Sequence, residues 1–208
     1  VPDDASSLST TSPATSSKPT SSQSTHRYAL RVVPAPRRAG MPVDPQLHGA
    51  ALILGANPLS EALADRIRQI AQQAIVISTD VPIAKLEQTL ADLWKHTATP
   101  HLFLTMASDS DAVKNLTEIE WKRRRAAALE VPFRICQLWM QQTIDADQME
   151  KASVIAATRL GGDFGFSGQH VGSLEAIGGL VKAMLIEAWM RGFRTTPMKV
   201  IDLPSGMA

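Results

Sequence analysis

A few residues in this chain could do chemistry, and their spacing decides which of them can. Gly55-Ala-Asn-Pro-Leu-Ser60 follows an apolar run and opens a helical pattern. At such a turn, glycines let backbone N–H groups approach a pyrophosphate at a helix N-terminus. After Gly55, the glycine positions of G-x-G-x-x-G hold Asn57 and Ser60, and those of the wider G-x-x-x-G-x-G hold Leu59 and Glu61. Side chains, one of them anionic, stand where a phosphate would sit. Asp80, after the second apolar run, could serve as a ribose ligand, but without a phosphate cradle a helix N-cap is the better account. Asp163, Ser167 and His170 carry the residue types of a hydrolytic triad, yet Gln169 stands where the second glycine of G-x-S-x-G belongs. The five histidines, His26, His48, His96, His101 and His170, lack ligand spacing, so no metal site is expected. Lys182 follows Gly178 by one helical turn, a cation with no acid beside it.

The elements that must hold these residues alternate between strand and helix. Ala50–Leu54 and Ala74–Ser78 are short apolar runs of the kind buried on both faces of a parallel sheet, and His101–Thr105, Ser153–Ala157 and Met198–Leu203 read as further strands. Arg27–Val33 adds a further strand, closed by Pro34 and Pro36. Helical spacing places Leu59, Leu63, Ile67 and Ile70 on one buried face, and Ile83, Leu86, Leu90 and Trp94 on another, in a helix capped by Asp80. A long helical region from Leu116 to Met149 has Leu129, Phe133, Cys136, Met140 and Ile144 as its stripe, with a kink or break at Pro132. Its Lys122-Arg-Arg-Arg125 run is a solvated face, and Cys136 is a core thiol. Ser173 to Gly192 reads as an amphipathic helix stopped by glycine, in which Gly178 and Gly179 permit close approach to a neighbouring element. Trp121, Trp139 and Trp189 are expected in the core, as are Phe164 and Phe166 of the glycine-rich loop Gly161–Gly168. Parallel strands need crossover helices, so this rhythm specifies a Rossmann-like, doubly wound parallel α/β sheet in three α/β/α layers.

Composition narrows the remaining classes. At 208 residues the chain holds one ordinary core, and its formal charge of +1 offers no nucleic-acid or membrane signature. Serine and threonine make up 14 of the first 25 residues, which cannot bury enough surface to order themselves. Residues 1–26 are therefore expected to be a disordered linker and 27–208 a single domain, truncated at its C-terminus and cut from a larger polypeptide. One cysteine excludes an internal disulfide and fits a reducing, cytoplasmic setting.

Arg27-Tyr-Ala-Leu-Arg31, Thr158-Arg-Leu-Gly-Gly-Asp-Phe-Gly-Phe166, Gly178-Gly-Leu-Val-Lys182 and Val200-Ile-Asp-Leu203, in this order, resemble the ketoreductase region of polyketide and polyunsaturated fatty-acid synthases. More narrowly, they resemble its first, degenerate short-chain-reductase half. The resemblance covers most of residues 27–204. It implies a parent enzyme that reduces carrier-bound 3-ketoacyl chains with NADPH held in an adjoining catalytic half. It also implies catalytic positions in this chain that have lost their function. Ala128 falls where the family has asparagine, Thr158 or Gly165 where it has serine, and Gly178 where it has the proton-donating tyrosine, while Lys182 matches its lysine. Tyr28, the only tyrosine, lies outside that helix. The expected role is structural: no catalytic residue, no cofactor and no metal in this chain, with the catalytic half and an acyl carrier protein as partners and neither nucleic acid nor membrane. Two rival readings are an active reductase using Lys182 with an atypical donor, and an acyl-chain or carrier-protein binding module using Phe164 and Phe166.

Overall fold

The computed structural model of the chain describes residues 47–70, 73–106, 117–166 and 176–204. The expected strand at 27–33 and linker over 1–26 lie outside these. Five strands, β1 (Ala51–Leu54), β2 (Ala74–Ile77), β3 (His101–Leu104), β4 (Ser153–Thr158) and β5 (Met198–Asp202), form one sheet in the order β2-β1-β3-β4-β5. Every pairing is parallel; Ala51 lies between Ala74 and His101, and Leu54 between Ile77 and Leu104. All residues of β1 and β3 are buried, the physical reason these segments read as unbroken apolar runs.

The crossovers are α1 (Pro58–Gln69), α2 (Ile83–His96), α3 (Glu118–Arg125), α4 (Val131–Asp145) and α5 (Ala176–Met190). Helix α1 packs on one face of the sheet, where Ala64 and Ile67 meet Ile53 and Phe103. Helices α2, α4 and α5 cover the other with Leu86, Leu90, Ile135, Trp139, Leu180 and Met184. The three α/β/α layers are thus present. No described helix is long and apolar enough to cross a membrane.

Several local expectations are corrected. Asp80 does not cap α2: Pro82 holds the N-cap position without a side-chain bond, and the Asp80 N–H donates to the Ser78 hydroxyl. Ile83 is 38% exposed, because the buried face of α2 consists of Leu86 and Leu90 one turn further in. In α1 the buried positions are Ser60, Ala64 and Ile67; Ser60 is drawn inward by polar partners, so Leu59 and Leu63 are rotated to its flanks.

Pro132 acts on its helix as expected of a residue without an N–H. A π-helical turn, Ala126–Glu130, separates α3 from α4, and the Val131 N–H reaches back to the Ala126 carbonyl. The wide turn rotates the stripe that follows. Val131, Pro132, Ile135, Cys136, Trp139, Met140 and Thr143 are buried, while Phe133 is 47% exposed rather than in the core. The basic run is a solvated face: α3 buries nothing, Lys122 pairs with Glu118, Arg125 pairs with Glu130, and the Arg125 guanidinium lies 5.0 Å from the centre of the Trp121 ring.

Of the tryptophans expected in the core, Trp139 is there, fully buried, its indole N–H donating to the Thr99 carbonyl at 2.7 Å. Trp121 and Trp189 are about half exposed. Cys136 is a core thiol, its pKa pushed up by burial to about 12. Gly192 stops α5 in the left-handed conformation, with the Phe193 N–H donating to Ala188 and the Gly192 N–H to Trp189.

Candidate functional site at the strand switch point

In an open parallel sheet, ligands bind beyond the carboxyl ends of the strands, where neighbouring strands send their connections in opposite directions. Here that point lies between β1 and β3: the chain leaves β1 toward the β2 edge and leaves β3 toward β4. The turn residues Gly55, Asn57, Leu59, Ser60 and Glu61 lie at this crevice, and so does Thr105 at the end of β3.

The crevice is filled from within. Gly55 has φ +134, and a Cβ there would stand 2.4 Å from the Thr105 hydroxyl oxygen and 2.9 Å from the Met106 nitrogen. Glycine is therefore required at this turn, because the end of β3 approaches it closely. Asn57 caps α1, its Oδ1 accepting the Ser60 N–H at 2.7 Å and the Ser60 hydroxyl at 2.8 Å, while its Nδ2 donates to the Thr105 carbonyl at 3.0 Å. The hydroxyls of Ser60 and Thr105 lie 2.8 Å apart, and that of Thr105 donates to the Leu54 carbonyl at 3.0 Å. All three side chains are buried.

This network engages backbone donors at the start of α1. Pro58 has no N–H, the Ser60 N–H goes to the Asn57 side chain, and the Glu61 N–H goes to the Asn57 carbonyl. At most the Leu59 N–H is left of the first turn. The Glu61 carboxylate already occupies the electropositive helix end. Thr105 was legible only as a strand end; a hydroxyl closing an apolar run opposite the glycine turn is the signal that marks it.

A second polar cluster joins the ends of β4 and β5. The Asp202 carboxylate accepts the Thr158 hydroxyl at 2.7 Å and the backbone N–H groups of Leu160, Gly162 and Phe164 at 2.6, 2.6 and 2.8 Å. Partial burial pulls this carboxyl upward, but the bonds from Leu160, Thr158, Phe164 and Gly162 outweigh it and hold the pKa below the ordinary value. Asp202 is thus the internal anion of a concave loop of amides. Its signal was an acid ending a strand beside a glycine-rich loop. Around it Gly161, Gly162, Phe164 and Gly165 all take positive φ, an unusual conformation for a residue as bulky as Phe164. Phe164 and Phe166 are 49% and 56% exposed, so neither ring is tucked onto the core as expected.

The positions matched to the reductase tetrad are dispersed in role. Ala128 is buried in the π turn, with only a methyl group to offer. Thr158 spends its hydroxyl on Asp202, and Gly165 is a turn residue whose N–H donates to Asp163. Among the described residues, nothing lies within 4 Å of where a Cβ would stand at Gly178 or Gly179, so no described element makes the close approach expected of them. Lys182 is exposed on α5 with no described ion-pair partner. Asp163 is described, but Ser167 and His170 lie outside the described residues. No group of three or more potential metal ligands occurs among the described residues.

No family model and no curated protein matches the chain. Solved structures do. A short-chain dehydrogenase from Leptospira borgpetersenii, with bound NAD+, superposes with a TM-score of 0.53 at 9% identity, covering 80% of this chain and 76% of that one. A putative oxidoreductase from Escherichia coli K-12 gives 0.51 at 14% identity, covering 73% and 75%. The chain shares its fold with the short-chain dehydrogenases. Asn57, Ser60 and Thr105 lie at the first strand turn of this shared fold.

Proposed function

We propose that this chain is a non-catalytic short-chain-reductase-like unit, the structural half of a synthase ketoreductase, whose work is to support an adjoining catalytic half. That half would hold NADPH and reduce carrier-bound 3-ketoacyl chains, in a cytoplasmic multidomain enzyme that also engages an acyl carrier protein. The observation that carries the reading is the switch point: the Asn57–Ser60–Thr105 network satisfies the polar groups that a phosphate would otherwise meet. Gly178 supports it, since glycine at the tyrosine position has no proton to donate. Titration of the chain with NADPH and with NADH, followed by cofactor fluorescence, is expected to show no saturable binding up to about 1 mM. Saturation in the micromolar range would sink the reading and favour an active reductase using Lys182.

A second reading draws on the exposed rings of Phe164 and Phe166, which an amide loop anchored on Asp202 presents to solvent. Such a pair could lie along an acyl chain. Calorimetric titration with an acyl-pantetheine thioester, in the parent chain and in a Phe164→Ala/Phe166→Ala variant, tests it. Equal heats in the two, or none in either, would remove it.

A further inference from the structure

The parallel sheet is covered along its whole width on one face and only in part on the other. In β4 burial alternates residue by residue: Val154, Ala156 and Thr158 are buried on the side of α4 and α5, while Ser153, Ile155 and Ala157 on the opposite face are half-buried. The pattern continues in β5, where Lys199 and Ile201 lie beside Ile155 and Ala157 and are exposed, Ile201 at 49%. Parallel sheets are otherwise covered on both faces. Among the described residues α1 is the only helix on this side, and it lies over the other end of the sheet, where Ala64 and Ile67 meet Ile53 and Phe103.

Helix α1 gives the bare floor a wall. Leu59, Leu63 and Ile70 follow one another at one turn and then two, along one half-buried flank. Arg68 stands about 140–180° round the helix from them and donates to the Ala74 carbonyl of β2. The apolar flank therefore points away from the β2 edge and toward β4. Floor and wall together make an apolar step. Its floor is two strands wide, about 10 Å, and that is the diameter of one α-helix.

We infer that this step seats a single amphipathic helix of a partner protein, laid beside α1 with its apolar stripe on Ile155, Ala157 and Ile201 and an Asp or Glu over Lys199. Shape and charge select this occupant. The step admits one helix, in the manner of a helix-in-groove contact, whereas α1 stands up beside the floor and would hold the flat sheet of a second copy away from it. Lys199 is the only charged residue of the floor and has no ion-pair partner among the described residues. Two copies laid floor to floor would cover this cation with no acid to meet it, which costs free energy; a helix carrying an acid satisfies it. The proposal goes beyond the structural-half reading and does not depend on it.

Two dye-labelled peptides of about 18 residues, long enough to form helix, test it against the 208-residue chain by fluorescence anisotropy. Both carry leucines as one helical stripe; the positions flanking the stripe hold Glu in one and Lys in the other. The contact is smaller than a standard interface, so the Glu peptide is expected to bind with Kd on the order of 10–100 µM, and the Lys peptide at least about fivefold more weakly. Ile201→Asp, at an exposed position, should keep the circular dichroism of the parent and weaken the Glu peptide by about tenfold or more. Lys199→Glu should reverse the preference between the peptides. Ala183→Asp, in the separate groove between α4 and α5, should leave binding unchanged. The proposal is overturned if the Glu peptide fails to bind at about 1 mM, if its preference survives Lys199→Glu, or if Ala183→Asp weakens it as much as Ile201→Asp does. Self-association of the parent chain that Ile201→Asp abolishes would also overturn it, since a second copy would then be the occupant.

Discussion

His101 lies at the amino end of β3, where its Nε2 accepts the His48 N–H at 2.8 Å and its Nδ1 faces the Ser153 hydroxyl at 2.9 Å. An accepting Nε2 places the proton of the neutral ring on Nδ1, so Nδ1 donates to Ser153. Burial above all, and the neighbouring His48, push its pKa down to about 4. The folded chain thus refuses a proton that the unfolded chain takes near pH 6.5. The stabilisation is complete above that pH and is lost as pH falls toward 4, a change of at most about 3 kcal/mol, reduced by solvent screening. Urea midpoints across this window should fall with pH in the parent chain, and His101→Gln should flatten that slope. Asp202 behaves in the opposite chemical sense with the same pH sign. Its carboxyl is held low in the folded state, so its contribution is present above the ordinary carboxylate range and lost only as pH drops through the lowered value. Asp202→Asn, measured by urea unfolding at neutral pH, should cost about 1–3 kcal/mol through the weakened bonds to Leu160, Gly162 and Phe164. A stability unchanged within about 0.3 kcal/mol would mean the loop holds itself.

At the level of elements, the first strand–turn–helix unit combines a glycine turn with a helix end closed by side chains. β1, Gly55 and α1 keep the order that a phosphate cradle requires, and Gly55 keeps its positive φ. The helix end is closed by a reciprocal capping box between Asn57 and Ser60 and tied to β3 through Thr105. Gly55→Ala should therefore cost about 2–4 kcal/mol, since it adds backbone strain to a clash with Thr105. If thermal unfolding shows less than about 1 kcal/mol, β3 can retreat and the packing is looser than the distances imply. Asn57→Ala, which removes a cap and orphans the Thr105 carbonyl, should cost about 1–2 kcal/mol. The same substitution tests whether the network alone excludes a ligand, because NADPH should still fail to bind.

For the molecule as a whole, the core lies mainly on one side of the sheet. Leu52, Leu54, Leu102, Leu104 and Val154 meet α2, α4 and α5 in a single cluster around Trp139, and Cys136 lies inside it. Opening that cluster requires the sheet and three helices to separate together, so thiol reactivity reports on global unfolding. Cys136 should resist a neutral disulfide reagent in the native chain and react fully in urea. Rapid native labelling would show that α4 opens by itself.

The strand–helix rhythm, the parallel sheet and the single glycine of the first turn were all determined by local sequence. Residues 51–54 and 102–104 are apolar throughout because both their faces are covered. Helix rotation was decided only in three dimensions. Ser60 turned inward to partners that include Thr105, 45 residues away, and the π turn before Pro132 moved Phe133 to the surface. The same holds for Asp202, whose partners come from a loop about 40 residues earlier, brought beside it by β4–β5 pairing. Periodicity records which residues share a face; which face is buried, and what meets it, depends on contacts between distant segments.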